Sequence, residues 1–194
     1  MSIIYSSRVV AIGASTGGIE ALEQVFSRLP EVIPPILLVV HLPMGFTKLY
    51  AARLSSTYSY RFKEAEAGDE VVRSQVLIAP AGKHMIVKSE NGKLVVDCFV
   101  GEKVQYVIPA ADVLFESVAK VVGDKAVGVV LTGMGADGAR GLKKMRESGA
   151  RTIGQNKETC VVYGMPKVAY EVGAVEHVIP IYLVAEKIIS LARL

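Results

Sequence analysis

The 194-residue sequence contains no tryptophan, and phenylalanine and tyrosine bring its aromatic content to only 7%. Its core must therefore be packed mainly from aliphatic side chains. Cysteine is almost as scarce. Cys98 and Cys160 form no CxxC or Cys/His spacing, which excludes a disulfide framework and a zinc cluster and fits a reducing compartment. No apolar run reaches the roughly 18 residues needed to span a bilayer, and Met1 to Arg8 is too short and polar for a signal peptide. The expectation is a cytoplasmic protein with no membrane insertion.

Charge is low and evenly spread. The net value of +3 divides into one positive charge in residues 1–97 and two in 98–194, with no basic tail and no basic stretch interleaved with aromatics. That pattern argues against nucleic acid as a partner. There is no internal repeat, linker or low-complexity segment. With 51% hydrophobic residues, a chain of this length can bury roughly 70% of its unfolded surface. One domain covering 1–194 is expected.

Short continuous apolar runs alternate with amphipathic segments, the pattern of strands buried on both faces and joined by crossover helices. The runs are Val9 to Ile12, Ile36 to Val40 and Ala126 to Leu131, while Val76 to Ala79 falls among shorter strands expected to form an antiparallel edge. Helical spacing marks Ile19 to Leu29, Leu49 to Leu54, Val113 to Val122, the segment holding Leu142 and Met145, and Ile181 to Leu191. A short strand is expected near Thr152-Ile153. Between Tyr60 and Val100 the strands shorten, and Asn91-Gly92 between Met85-Ile86-Val87 and Leu94-Val95-Val96 signals a hairpin. The predicted fold class is α/β, a doubly wound, mostly parallel sheet with helices on both faces and a small antiparallel hairpin edge.

Three features fall where strands give way to helices, the edge at which open α/β sheets place ligands. Gly13-Ala14-Ser15-Thr16-Gly17-Gly18 contains G-x-S-x-G, which presents a serine at a sharp turn and leaves backbone N–H groups for an oxyanion. The same turn also reads as a nucleotide phosphate loop. Position 41, at the end of the next strand, carries histidine and not the acid that a dinucleotide ribose requires. His41 is one of three histidines and suits a base that activates Ser15. His84 and His177 lie in expected strands and read as structural. Asp137, in Gly133-Met134-Gly135-Ala136-Asp137-Gly138, reads either as the carboxylate that orients His41 or as the N-cap of the following helix. Backbone N–H groups of Thr16 and Met134 are candidate oxyanion donors. Cys160 has no neighbouring histidine in sequence to activate it. Arg140, Lys143, Lys144 and Arg146 form a basic helical surface.

Gly13 to Gly18, His41-Leu42-Pro43-Met44-Gly45-Phe46-Thr47, Ile78 to Met85, Leu131 to Ala139 and Thr159 to Pro166 together resemble, in order and over essentially the whole chain, the catalytic domain of bacterial chemotaxis protein-glutamate methylesterases (CheB). The resemblance implies a cofactor-free hydrolase acting on γ-methyl esters of glutamates on the cytoplasmic helices of chemoreceptors, releasing methanol, with glutamine deamidation as a frequent second activity. It assigns Ser15 as nucleophile, His41 as base, Asp137 as orienting acid and the Met134 backbone as an oxyanion donor. Members usually carry a phosphorylatable receiver domain ahead of this one, which makes a separate receiver domain a regulatory partner; the sequence here holds none. Two segments differ from the usual family pattern. Val40-His41-Leu42-Pro43 stands in place of Gln-His-Met-Pro, and Ile108-Pro109-Ala110-Ala111-Asp112 lacks the usual Arg-Pro-Ser. A nucleotide-binding domain using Gly13 to Gly18 and a catalytically silent receptor-binding adaptor are the alternative readings.

Overall fold

The computed structural model describes residues 8–192. Met1 to Ser7, most of the stretch read above as too polar for a leader, lies outside the described residues. Seven strands form one sheet: β1 (Val9–Ala14), β2 (Ile36–Val40), β3 (Arg61–Glu64), β4 (Gln75–Ile78), β7 (Ala126–Val130), β8 (Arg151–Gln155) and β9 (His177–Ile179). Their order is β3-β4-β2-β1-β7-β8-β9, and every pairing is parallel. Two further strands, β5 (His84–Glu90) and β6 (Lys93–Phe99), make the expected antiparallel hairpin as a sheet of their own.

Period-two alternation divides the core. Val10, Ile12 and Ala14 of β1, with Ile36, Leu38 and Val40 of β2, face α1 (Gly18–Phe26), α2 (Phe46–Thr57) and α6 (Ile181–Ala192). Val9, Ala11, Leu37 and Val39 face α3 (Ala111–Val121), α4 (Ala139–Glu147), α5 (Met165–Glu171) and the hairpin. Both sheet faces are therefore covered, which is why the central strands read as unbroken apolar runs.

Some elements differ from the sequence reading. Strand β1 continues through Gly13, because α3 crosses it there: a Cβ on Gly13 would lie 2.8 Å from the Ala111 Cβ. The glycine serves close packing within the strand instead of ending it. Strand β3 and helix α5 carry no long apolar run, and the sequence did not show them. Strand β4, from the region expected to form the antiparallel edge, is fully buried and joins the main sheet in parallel between β3 and β2. Among the described residues, no helix is long and apolar enough to cross a membrane.

The sheet order reverses at β1. From there the chain moves outward through β2, then returns to place β7 on the other side. Ligands of doubly wound sheets sit beyond the carboxyl ends of the strands at such a switch point. Ser15, His41 and Asp137 follow β1, β2 and β7, the three strands that flank it.

Candidate active site

Parallel register pairs Ala14 with Val40, so Ser15 and His41 are the next residues at adjacent strand ends. The His41 amide donates to the Ala14 carbonyl at 3.2 Å, extending that register to the histidine itself. His41 Nε2 lies 2.9 Å from Asp137 Oδ2. The side chains of His41 and Asp137 are 14% and 2% exposed, so the pair is largely shielded from water. The Ser15 hydroxyl makes no hydrogen bond with any of the described residues.

Asp137 resolves its two readings in an unexpected way. It does not cap α4, the helix that follows it, whose cap is Gly138 with no side-chain hydrogen bond. Instead it accepts the first two N–H groups of α3, from Ala111 at 2.7 Å and Asp112 at 3.0 Å. The positive end of that helix and two directed donors therefore hold the carboxylate that meets His41. The arrangement is reciprocal: Asp112 Oδ1 accepts the Gly141 N–H in the first turn of α4 at 2.7 Å. Burial is the main cause pushing the Asp112 carboxyl above the usual carboxylate range, with Asp137 contributing in the same direction.

The Ser15 turn is clamped by Thr132. Its carbonyl accepts the Ser15 N–H at 3.0 Å, while its hydroxyl donates to the Thr16 carbonyl at 2.9 Å and accepts the Val162 N–H at 3.0 Å. Gln155, buried at the end of β8, fixes Thr132 in turn by accepting its N–H at 2.8 Å and donating to the Thr159 carbonyl at 2.8 Å. Gly133 lies so close behind the serine that a Cβ there would be 2.7 Å from the Ser15 Cβ and 2.3 Å from Met165 Sδ. These bonds leave the N–H groups of Thr16, Gly17 and Met134 without a protein acceptor among the described residues. Helix α1 likewise begins without a side-chain cap.

Neither Thr132 nor Gln155 was singled out from sequence. Thr132 stands in the Thr-Gly-Met-Gly segment, where a hydroxyl directly after a buried strand is the signal that marks it. Replacing Thr132 by valine keeps the shape and strands two polar groups. We expect Thr132→Val to lower unfolding stability by about 1–3 kcal/mol in denaturant titrations and Thr132→Ser to recover most of it.

The other titratable candidates are occupied or inert. His84 is buried, with Nε2 donating to the Glu102 carbonyl at 2.8 Å and Nδ1 accepting the Ala110 N–H at 3.2 Å. His177 sits on the edge strand β9 beside Arg151 and Glu176. Burial pushes the thiols of Cys98 and Cys160 up to about 11, so neither is a thiolate near neutral pH. A groove of about 490 Å³ opens beside His41, lined also by Leu42, Met44, Gly82, Lys103 and Tyr106. Met134, Val161 and Met44 are exposed apolar side chains on the loops of this edge.

Fold and site together define the class: a doubly wound α/β domain that gathers a serine turn, a histidine and a buried aspartate at the switch point of a parallel sheet. The chain belongs to the CheB methylesterase family, whose family model matches residues 10–188. It is 52% identical over 183 residues to a protein-glutamate methylesterase/protein-glutamine glutaminase of Syntrophomonas wolfei, covering 94% of this chain and 54% of that protein. A protein of the same name from Sulfurimonas denitrificans is 48% identical over 186 residues, covering 96% and 53%. The chain thus spans about half the length of these curated relatives. The crystal structure of the Thermotoga maritima CheB methylesterase catalytic domain superposes with a TM-score of 0.93 at 42% identity, covering 96% of this chain and all of that one.

Proposed function

We propose that the chain is a serine hydrolase that cleaves glutamate γ-methyl esters on the cytoplasmic helices of chemoreceptors and deamidates glutamines at the same site. The observation that carries this reading is the bond between His41 and Asp137 at the strand end adjacent to Ser15. His41 removes the Ser15 proton as Oγ attacks the ester carbonyl, and the N–H groups of Thr16 and Met134 receive the developing oxyanion. The protonated imidazole, stabilised by Asp137, returns the proton to the leaving methoxide, and methanol departs. Water, deprotonated by His41, then attacks the acyl-enzyme, releasing the glutamate carboxylate and restoring the serine. With glutamine the leaving group is ammonia.

The ring nitrogens exchange the roles they have in the chymotrypsin triad. Nε2 is committed to the carboxylate, which leaves Nδ1 as the nitrogen for Ser15. The order Ser, His, Asp along the chain also differs from the Ser, Asp, His order of α/β-hydrolases, consistent with convergence on a shared chemistry. A receiver domain is the regulatory partner that this reading proposes, and the cytoplasm is the compartment in which the proposed substrate would be met.

Methanol release from a methyl-esterified chemoreceptor cytoplasmic fragment tests the activity. Labelling by a fluorophosphonate, with the adduct mapped to Ser15 by mass spectrometry, tests the nucleophile. Release of methanol without a Ser15 adduct would contradict the mechanism; an adduct without methanol would contradict the substrate.

A further inference from the structure

Val104 and Val107 exchange both backbone hydrogen bonds, each 3.1 Å, so Gln105 and Tyr106 form a two-residue hairpin loop. Both have positive φ, 51° and 66°. That sign pattern belongs to the type I′ turn, where Asn-Gly is strongly preferred because a Cβ is disfavoured in left-handed backbone. Here two bulky side chains occupy consecutive left-handed positions. Among the described residues Tyr106, the larger of them, is 91% exposed and makes no hydrogen bond or ring contact.

The base of this segment is firmly held. His84 bonds the Glu102 carbonyl on one side and the Ala110 N–H on the other, tying both ends of residues 102–110 to the start of β5. The tyrosine is thus presented from a fixed base, at the lip of the groove that His41 lines. Met44, exposed in the same groove, gives that lip an apolar partner. Strained backbone that the fold does not repay points to a role outside the fold.

We propose that Tyr106 is a specificity-determining residue, whose ring packs on apolar side chains of a polypeptide substrate beside the scissile ester. This rests on the reading of the chain as a protein-directed esterase. A small ester fills only the space around Ser15, whereas a polypeptide extends across the lip, so the ring contributes to one reaction far more than to the other.

The test compares kcat/KM for the methyl-esterified receptor fragment with kcat/KM for p-nitrophenyl acetate. Tyr106→Gly is expected to lower the ratio of the two about tenfold, through KM for the fragment, and to raise Tm by about 2 °C as the turn relaxes. Tyr106→Phe keeps the ring and should hold the ratio within twofold of the starting protein. An unchanged ratio in Tyr106→Gly, or equal losses on both substrates, overturns the assignment. A lowered Tm overturns the strain argument. If the unaltered protein releases no methanol from the fragment, the protein-esterase reading and this inference fail together; release with an unchanged ratio removes Tyr106 alone.

Discussion

Ser15→Ala is expected to lower kcat by about a millionfold, with methanol release falling to the level supported by the surrounding site alone. The magnitude follows from what the substitution removes. Ser15 carries the hydroxyl that the proposed chemistry acylates, and without it His41 loses the nucleophile that it is proposed to deprotonate. In a subtilisin-type triad, removing the serine costs about 2 × 10⁶ in kcat. Because Ser15 is partly exposed and its hydroxyl makes no hydrogen bond with the described residues, the alanine variant should keep its stability within about 0.5 kcal/mol. Single-turnover measurements with the esterified fragment and denaturant titrations check both parts. A fall of less than about a hundredfold would remove Ser15 as nucleophile.

The second large effect is at Asp137, where two substitutions separate two functions. Asp137→Asn keeps a side-chain oxygen able to accept one N–H from α3. Its amide, however, cannot stabilise a positively charged imidazole and favours the wrong histidine tautomer. By analogy with the chymotrypsin aspartate, kcat should fall about 10⁴-fold. Asp137→Ala should lose at least as much activity and additionally strand the Ala111 and Asp112 amides, which are buried. That adds about 2 kcal/mol or more of destabilisation. Kinetics and denaturant titration of the two variants together read the split. Equal stability of both variants would show that α3 does not depend on this carboxylate.

Much of this was legible in the chain. Runs such as Ile36-Leu37-Leu38-Val39-Val40 could only be strands buried on both faces, and the strand ends then brought Ser15 and His41 to one edge. The edge strand β3 escaped because only Phe62 is buried in it, whereas β8 was legible at Thr152-Ile153 even though arginine, glycine and glutamine limit its apolar pattern. Asp137 shows a deeper limit. A carboxylate just ahead of a helix reads as that helix's cap, whereas its true acceptor role belongs to amides 25 and 26 positions earlier. No local pattern encodes such a pairing. Thr132 escaped for the same reason: it bonds Ser15, Thr16, Gln155 and Val162, which the sheet order brings to it.

That dispersion has a consequence for how the chain acquires its chemistry. The groups that meet at the edge come from residues 15, 41, 111, 132, 137, 155 and 162, and the contacts that join them close loops of more than twenty residues. Contacts of such separation carry a loop-closure cost and depend on the parallel sheet, whose own pairings are equally distant in the chain. A nascent chain emerging from the ribosome has its serine early but lacks the clamp until the segment around Val162 has been made. Hydrolysis of a slow substrate is therefore a stricter gauge of complete folding for this protein than helix content, and it should vanish in a partly denatured population before circular dichroism registers a change.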